Sequence, residues 1–256
     1  KGITRHPKKG NEGIRIWETP SGILNSIGLE NPGVEEFVKE KIYSMQELGT
    51  EIFVNLGGNT IEEYVESAKI LNDYEFSAIE LNISCPNVKE GGMAFGMEKD
   101  SAAKVVREVM KVTNKKVFVK LSPNAGDIVG IAKAVETEGA DGLSLINTIL
   151  GMAIDLNREE IVFNNTYAGL SGPAVKPIAL RILHQVARAV DIPIIGMGGI
   201  TSYKDVLEFL MAGATAVEIG TYNFMNPKAG AEIISDLEKY LEEKNKNIRD
   251  YIKKLV

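Results

Sequence analysis

The chain has 256 residues, 44% hydrophobic and 25% charged, which is the composition of an ordinary globular protein. Its formal net charge of −6 argues against binding to nucleic acid or to an anionic membrane. A single cysteine and two histidines exclude an internal disulfide framework and an iron–sulfur cluster held by this chain alone, and no metal site is expected. With no apolar stretch of the roughly 20 residues that cross a bilayer and no signal peptide, we expect a cytoplasmic protein.

Short apolar runs alternate with longer amphipathic stretches along the chain. The polar stretch 4–20 predicts a loop insertion with a short extended piece at 14–17, and a first helix is expected at about 34–48. The apolar runs that predict buried strands are 51–56, 78–83, 116–121, 142–146, 193–197 and 216–220. Helices are expected over 60–71, 100–112, 128–138, 178–190, 202–211 and 228–243, with a capping box of Thr60 and Glu63 and a C-cap at Gly139.

Near-continuous apolar strands that alternate with helices predict a parallel sheet covered on both faces. A closed (β/α)₈ barrel needs eight strands, so the six visible runs lead us to expect that two strands precede Lys1. We interpret residues 1–256 as one α/β domain, a TIM barrel, with an open doubly wound sheet as the alternative. The barrel is favoured because the last two strands end at Gly198-Gly199 and Gly220-Thr221, as in the phosphate sites of such barrels.

Every predicted strand ends in a polar residue or a glycine. A single Asn after a strand is usually a turn residue, but six such ends in a barrel would converge on one mouth. The glycine pairs would let backbone N–H groups approach an anion closely. The strand-end residues are Asn55, Asn82 with Cys85, Lys120, Asn147 with Thr148, Gly198 with Gly199, and Gly220 with Thr221.

Cys85 is the only cysteine, and it lies where a strand stops and a loop begins, in the segment ELNISCPN at 80–87. A lone cysteine is usually a buried, inert thiol. The flanking residues Ser84, Pro86 and Asn87 do not form a core environment. The position therefore favours a chemical role for the thiol.

Seven segments carry a longer pattern, namely NSIGLENPG (25–33), ELNISCPNV (80–88), VKLSPN (119–124), LINT (145–148), GLSGPAVKPIAL (169–180), IPIIGMGGI (192–200) and AGATAVEIGT (212–221). Together they resemble the catalytic subunit of the class 1B dihydroorotate dehydrogenases, and the resemblance covers essentially the whole chain. In that alignment Lys1 matches the lysine that follows the family's second strand, so the first strand with its Ala-Ser-Gly segment is expected to have no counterpart here.

The resemblance implies oxidation of dihydroorotate to orotate in pyrimidine synthesis, with FMN as the hydride acceptor. It implies that Cys85 is the base that removes the C5 proton of the substrate while hydride leaves C6. A free thiol has a pKa near 8.5, so some thiolate is available near neutral pH. Lys120 is expected near the N1–O2 edge of the flavin, where its charge would stabilise the reduced ring.

The resemblance also implies the remaining contacts, residue by residue. The segment 25–29 matches the loop that covers the substrate, and amide and hydroxyl groups would bind its carboxylate and ring. The substrate residues expected are Lys1, Asn25, Ser26, Ile27, Gly28, Leu29, Asn82, Asn147 and Thr148. The FMN residues expected are Lys1, Gly2, Asn55, Asn82, Lys120, Ile146, Gly172, Gly198, Gly199, Gly220 and Thr221.

The chain has no G-x-G-x-x-G after a strand for NAD, so electrons would leave through another protein. The resemblance implies an electron-transfer subunit that carries FAD and a 2Fe–2S cluster, and a homodimer within a heterotetramer. Fumarate-dependent class 1A enzymes share most of these motifs and are one alternative, and a homologous subunit of dihydropyrimidine dehydrogenase is a further alternative among the flavoenzymes. Two alternative interpretations lie outside the flavoenzymes. One is a barrel lyase or isomerase that acts on a sugar phosphate without a flavin, and the other is an inactive fragment.

Overall fold

The structure is a computed structural model, and it describes residues 2–84 and 95–256. The strands in chain order are β1 Ile16–Thr19, β2 Gly22–Asn25, β3 Phe53–Leu56, β4 Ala78–Asn82, β5 Lys116–Lys120, β6 Gly142–Leu145, β7 Ile149–Gly151, β8 Ile154–Asp155, β9 Glu160–Ile161, β10 Ala168–Ser171, β11 Ile194–Met197 and β12 Ala216–Glu218. The helices are α1 Val34–Glu40, α2 Ile42–Gln46, α3 Ile61–Leu71, α4 Lys99–Met110, α5 Ile128–Thr137, α6 Lys176–Ala187, α7 Tyr203–Met211, α8 Tyr222–Met225 and α9 Ala229–Lys244, with short 3₁₀ turns at Phe95–Met97, Pro173–Val175 and Ile248–Asp250.

The chain divides into two compact units. The first consists of Lys1–Glu12 and Ile27–Leu143, and the second of Gly13–Ser26 and Ser144–Val256. The prediction of one undivided domain stays a prediction.

The first unit is built on the parallel strands β3, β4 and β5. The register pairs Asn55 with Glu80 and Asn82 with Lys120. Strand β4 lies between the other two and is buried at every position, as its apolar sequence predicts for a central parallel strand. The helices α3 and α4 bury the apolar stripe expected of amphipathic helices, including Leu71 and Val106.

The helix predicted over 34–48 is in fact two short helices that meet at Lys41. Val34, Val38 and Ile42 are buried at helical spacing, whereas Tyr43 and Leu48 are largely exposed. The apolar stripe therefore stops at Ile42, and no packing extends a single helix beyond it.

The predicted helix caps are confirmed in part. The Thr60 hydroxyl accepts a hydrogen bond from the N–H of Glu63 at 3.2 Å, as an N-cap should. The Glu63 carboxylate accepts from the N–H of Asn59 at 2.7 Å rather than from the N–H of Thr60, so the reciprocal half of the box is shifted by one residue. Gly139 ends α5 with φ +91°, in the region that favours glycine.

The second unit combines the parallel pair β11–β12 with an antiparallel sheet in the order β1-β2-β10-β7. A small core lies under the antiparallel sheet, formed by Leu24, Val162, Phe163 and Ala168. The stretch 4–20, predicted to be a loop, therefore contains β1, which forms a hairpin with β2. Strands β7–β10 are also absent from the sequence-based prediction, because strands of two to four residues give too short an apolar period.

All six predicted parallel strands are present, with bounds that differ by one or two residues. Parallel strands that alternate with helices define the α/β TIM barrel class that the sequence predicts. In the part of the chain that the structure describes, none of the helices has the length and apolar character needed to span a membrane.

Candidate active site

In the first unit, the strand register brings the predicted residues Asn55, Asn82 and Lys120, together with Glu80, to one face of the sheet. Asn55 lies opposite Glu80, and Asn82 lies opposite Lys120. Side chains alternate along a strand with a period of two, so Glu80 and Asn82 point to the same side. The sheet geometry alone thus collects a cation, a carboxylate and two amides at the carboxyl ends of three strands.

A buried ion pair lies at the centre of this group. The Lys120 ammonium is 3.1 and 3.3 Å from the two carboxylate oxygens of Glu80. The two side chains are only 15% and 6% exposed, and the Asn55 amide also donates a hydrogen bond to the Glu80 carboxylate. Burying a charge is costly unless it is paired and hydrogen-bonded, and both conditions are met here. Lys120 is therefore not a solvated surface lysine.

The Asn82 side chain is oriented by its neighbours. Its Oδ1 accepts from the Ser84 hydroxyl at 2.6 Å and from the Ser84 N–H at 3.3 Å, and its Nδ2 donates to Asn55 Oδ1 at 3.4 Å. The main-chain carbonyl of Asn82 accepts from the buried Tyr64 hydroxyl at 2.8 Å. The end of β4 is thus fixed up to Ser84. The predicted residues Cys85 and Lys1 lie outside the described residues.

Gly2 lies against Asn55. The N–H of Ile3 donates to the carbonyl of Asn55 at 2.8 Å. A Cβ atom on Gly2 would lie 2.5 Å from Asn55 Oδ1 and 3.2 Å from a methyl carbon of Leu29. A side chain at position 2 would therefore displace the Asn55 amide.

Residues 27–29 of the predicted substrate loop begin the second part of the first unit, whereas Asn25 and Ser26 belong to the second unit. Gly28 has φ +76° and Leu29 has φ +55°, and both values lie in the left-handed region. The carbonyl of Ile27 accepts from the N–H of Asn11 at 3.0 Å, and a Cβ on Gly28 would lie 2.5 Å from Asn11 Oδ1. Asn11 therefore holds this loop in its turn.

In the second unit, three predicted glycines lie close together with backbone angles that favour glycine. The φ values are +103° for Gly172, +129° for Gly198 and +78° for Gly199. A Cβ on Gly199 would lie 2.8 Å from the carbonyl oxygen of Gly172, and one on Gly198 would lie 2.8 Å from the Ala179 side chain. The buried Ile146 adjoins Gly198, since its N–H donates to the carbonyl of Met197 at 3.1 Å.

Thr221 belongs to the same cluster, whereas Gly220 is not constrained by it. The Thr221 hydroxyl donates to the hydroxyl of Ser171, beside Gly172, at 2.8 Å. A Cβ on Gly220 would meet no atom within 4 Å, so the structure gives no steric reason for a glycine there. The assignment of Gly220 to the cofactor stays a prediction.

The predicted substrate residues of the second unit surround β10. Asn25 Nδ2 donates to the carbonyl of Gly169 at 3.3 Å, and the Thr148 side chain fills the space where a Cβ on Gly169 would be. The Thr148 N–H donates to Asn147 Oδ1 at 2.8 Å, and the N–H of Ser26 donates to the carbonyl of Arg15 at 2.8 Å. Asn25 and Thr148 are thus brought together at Gly169.

Sequence reasoning missed two charged residues that organise these groups. One is Glu80, whose position at period two from Asn82 inside an apolar strand was the available signal. The other is Asp205, on the first turn of α7, three residues after the N-cap Ser202. A capping-box spacing of Ser202 and Asp205 is visible in the sequence and was the signal for it.

Asp205 accepts an unusually large set of hydrogen bonds. Its Oδ2 accepts from the N–H and hydroxyl of Thr201, at 2.9 and 3.1 Å, and from the N–H and hydroxyl of Ser202, both at 2.9 Å. Its Oδ1 accepts from the Lys176 ammonium at 2.5 Å, and Lys176 also contacts Glu208 at 2.8 Å. One carboxylate thus ties the residues that follow Gly198-Gly199 to the start of α6.

The protonation of this pair follows from its contacts. Burial alone would raise the pKa of the Asp205 carboxyl, but hydrogen bonds from Lys176, Thr201 and Ser202 outweigh it and lower the pKa below 3.8. The hydrogen bonds from Lys176 to Asp205 and Glu208 raise the pKa of the Lys176 ammonium above 10.5. The pair is charged throughout the physiological range. Residues 2–84 and 95–256 contain no group of three or more His, Cys, Asp or Glu side chains placed to hold a metal ion.

An α/β barrel whose strands end in a buried cation and oriented amides has the features of an enzyme active site. The dihydroorotate dehydrogenase family model matches residues 1–241, and the chain belongs to this family of oxidoreductases.

Curated relatives that carry the name dihydroorotate dehydrogenase B (NAD(+)), catalytic subunit, agree with the family match. The protein of Petrotoga mobilis is 50% identical over 256 residues, covering 100% of this chain and 85% of its own length. That of Desulforamulus reducens is 56% identical over 244 residues, covering 95% and 80%. That of Thermoanaerobacter pseudethanolicus is 53% identical over 241 residues, covering 94% and 80%.

The lowered pKa of Asp205 predicts a specific loss of stability in acid. A carboxyl whose pKa is lower when folded stabilises the protein above its unfolded pKa, near 3.8, and loses that contribution as the pH falls through the folded value. Asp205→Asn should therefore lower the free energy of unfolding by about 1.5–3 kcal/mol at pH 5–7, and the difference from wild type should shrink below pH 3.8. Urea melts of both proteins across this pH range measure it. A difference that is the same at every pH would contradict the assignment.

Proposed function

We propose that this protein oxidises (S)-dihydroorotate to orotate with FMN, as a step of de novo pyrimidine synthesis. The observation that carries the proposal is the buried Lys120–Glu80 pair beside Asn55 and Asn82, in a chain that belongs to the dihydroorotate dehydrogenase family. A fixed ammonium in a water-poor site stabilises negative charge that develops on a nearby group. That is the requirement of a site that reduces a flavin.

The second unit has features that suit the phosphate of FMN. The segments of Gly172 and Gly199 approach so closely that a Cβ on Gly199 would lie 2.8 Å from the carbonyl oxygen of Gly172. Such a glycine cradle presents backbone N–H groups to an anion. When bound, FMN supplies the hydride acceptor for C6 of dihydroorotate. The further FMN contacts that we propose are Lys1, Gly2, Asn55, Asn82, Lys120, Ile146, Gly220 and Thr221.

Cys85 is the proposed general base. Its thiolate takes the proton from C5 of dihydroorotate, and the substrate loses two electrons as the C5–C6 double bond forms. The position of Cys85 in the sequence supports this role, because it follows Asn82 and Ser84 at the carboxyl end of β4, where catalytic residues of such barrels lie. A general base is most effective with a pKa near the working pH, and an ordinary thiol pKa of about 8.5 is close to that.

The substrate is proposed to be held by amide and hydroxyl groups. Asn25 and Thr148 meet at Gly169, and Asn82 is oriented by Ser84, so these groups are fixed in advance. Pre-organised donors bind a carboxylate and a ring amide with less loss of side-chain freedom. The other proposed substrate contacts are Lys1, Ser26, Ile27, Gly28, Leu29 and Asn147.

A partner subunit is proposed for the onward transfer of electrons. The relatives are named as catalytic subunits of NAD(+)-linked enzymes, and this chain lacks the dinucleotide fingerprint. We propose a homodimer within a heterotetramer in the cytoplasm, with FAD and a 2Fe–2S cluster on the second subunit. NAD reduction that requires this subunit supports the proposal, whereas strong fumarate reduction by the chain alone would assign it to class 1A.

The proposal predicts a yellow protein that dihydroorotate bleaches. Purified under air, the full-length gene product should carry FMN, and anaerobic dihydroorotate should remove its visible absorbance band. An isolated chain without colour that cannot be reconstituted with FMN would contradict it, and would favour the barrel lyase or isomerase. A folded, FMN-loaded protein that dihydroorotate does not bleach would show that its substrate is a different compound. Dihydropyrimidines would then be the next compounds to test.

Variants of Cys85 test the base. Cys85→Ala should retain FMN and orotate binding, while flavin reduction by dihydroorotate falls by ~10²–10⁴-fold, the usual contribution of a positioned base. Cys85→Ser should be slow near pH 7 and recover partly as the pH rises, because a hydroxyl ionises far less readily than a thiol. Anaerobic stopped-flow of flavin bleaching against pH measures both. A near-normal rate for Cys85→Ala would show that another group removes the proton.

A further inference from the structure

We infer that Asp205 is a positioning residue for the phosphate of FMN: it holds the Gly198-Gly199 segment and, through Lys176, the Gly172 segment in the arrangement that binds the anion. The inference rests on the proposed FMN site. It concerns the second unit alone, where every contact that supports it is found.

Asp205 does more than cap a helix. A capping box needs only the reciprocal bonds between the N-cap and the third helical residue, here Ser202 and Asp205. The same carboxylate also accepts from the N–H and hydroxyl of Thr201, one residue further towards the glycines. The loop from Gly199 to Ser202 is therefore fixed at the end remote from β11.

Lys176 connects Asp205 to the neighbouring Gly172 segment. Its ammonium donates to Asp205 at 2.5 Å, and its main chain begins α6, directly after the 3₁₀ turn that follows Gly172. A Cβ on Gly199 would lie 3.0 Å from Lys176 Cβ and 3.1 Å from Lys176 N, so the two segments touch at this point. The ion pair thus spans the same junction that the glycines form.

Asp205 is buried and its carboxylate is satisfied by Lys176, Thr201 and Ser202, so its negative charge is compensated by groups of the two segments that it holds. A phosphate gains from N–H groups that are already aimed at it, because no ordering is then required on binding. Loss of Asp205 should for that reason weaken recognition of the phosphate and leave recognition of the flavin ring unchanged.

The experiment compares FMN with riboflavin, which lacks the phosphate. Apo-protein is titrated with each flavin and quenching of flavin fluorescence is followed, for wild type, Asp205→Ala, Lys176→Met and the control Glu208→Gln. The control removes the other partner of Lys176 but leaves the loop bonds intact. Asp205→Ala should weaken FMN about 10-fold and riboflavin less than about 2-fold, because a hydrogen-bonded charge contributes at least about a factor of ten. Lys176→Met should follow in the same direction, and Glu208→Gln should bind both flavins as wild type does.

Equal weakening of FMN and riboflavin, or unchanged FMN affinity in Asp205→Ala, would overturn the inference. If riboflavin binds wild type too weakly to measure, the FMN affinity of Asp205→Ala is compared with that of Glu208→Gln. Both variants are kept well below their melting temperatures, and only a loss of affinity confined to Asp205→Ala supports the inference. The proposed FMN-dependent function and the proposed role of Asp205 can be contradicted separately. Wild-type protein without FMN affinity overturns the proposed function, whereas wild-type affinity that Asp205→Ala retains overturns only the role of Asp205.

Discussion

The ion pair between Lys120 and Glu80 is the interaction on which the candidate site depends. Two charges that are almost fully removed from water persist only because each satisfies the other and Asn55 adds a further hydrogen bond. Removing one partner of such a pair typically costs several kcal/mol, because an uncompensated charge is left buried. The three parallel strands of the first unit supply the rigid frame that holds these groups in register.

The second unit uses a different physical device. Its glycine segments come together at Gly172 and Gly199, and the Lys176 ammonium, whose residue contacts Gly199, forms an ion pair with Asp205. The first unit is thus characterised by a buried ion pair at strand ends, and the second by close-packed glycines beside an ion pair. The proposed function assigns the flavin ring, whose charge changes on reduction, to Lys120 and the phosphate, whose charge does not, to the glycine segments.

The sequence predicted the parallel strands and their polar ends well, because buried parallel strands are continuous apolar runs that end abruptly. It did not reveal Glu80, because candidate residues were sought only where each strand ends. Glu80 lies inside β4, two residues before the last residue of that strand, Asn82. The strands β7–β10 were missed since short edge strands have little apolar period. Asp205 carried a visible capping signal, but its bonds to Thr201 and Lys176 depend on tertiary placement.

The most direct test of this account is the midpoint potential of the bound flavin in Lys120→Met, with Lys116→Met as the matched control. Lys116 lies at the other end of the same strand and is 71% exposed. If the buried ammonium stabilises the reduced ring, Lys120→Met should lower the potential by at least about 30 mV, which is roughly 1.4 kcal/mol for two electrons. Lys116→Met should leave it unchanged, and Glu80→Gln should raise it. An unchanged potential in FMN-loaded Lys120→Met would contradict the central role of the pair.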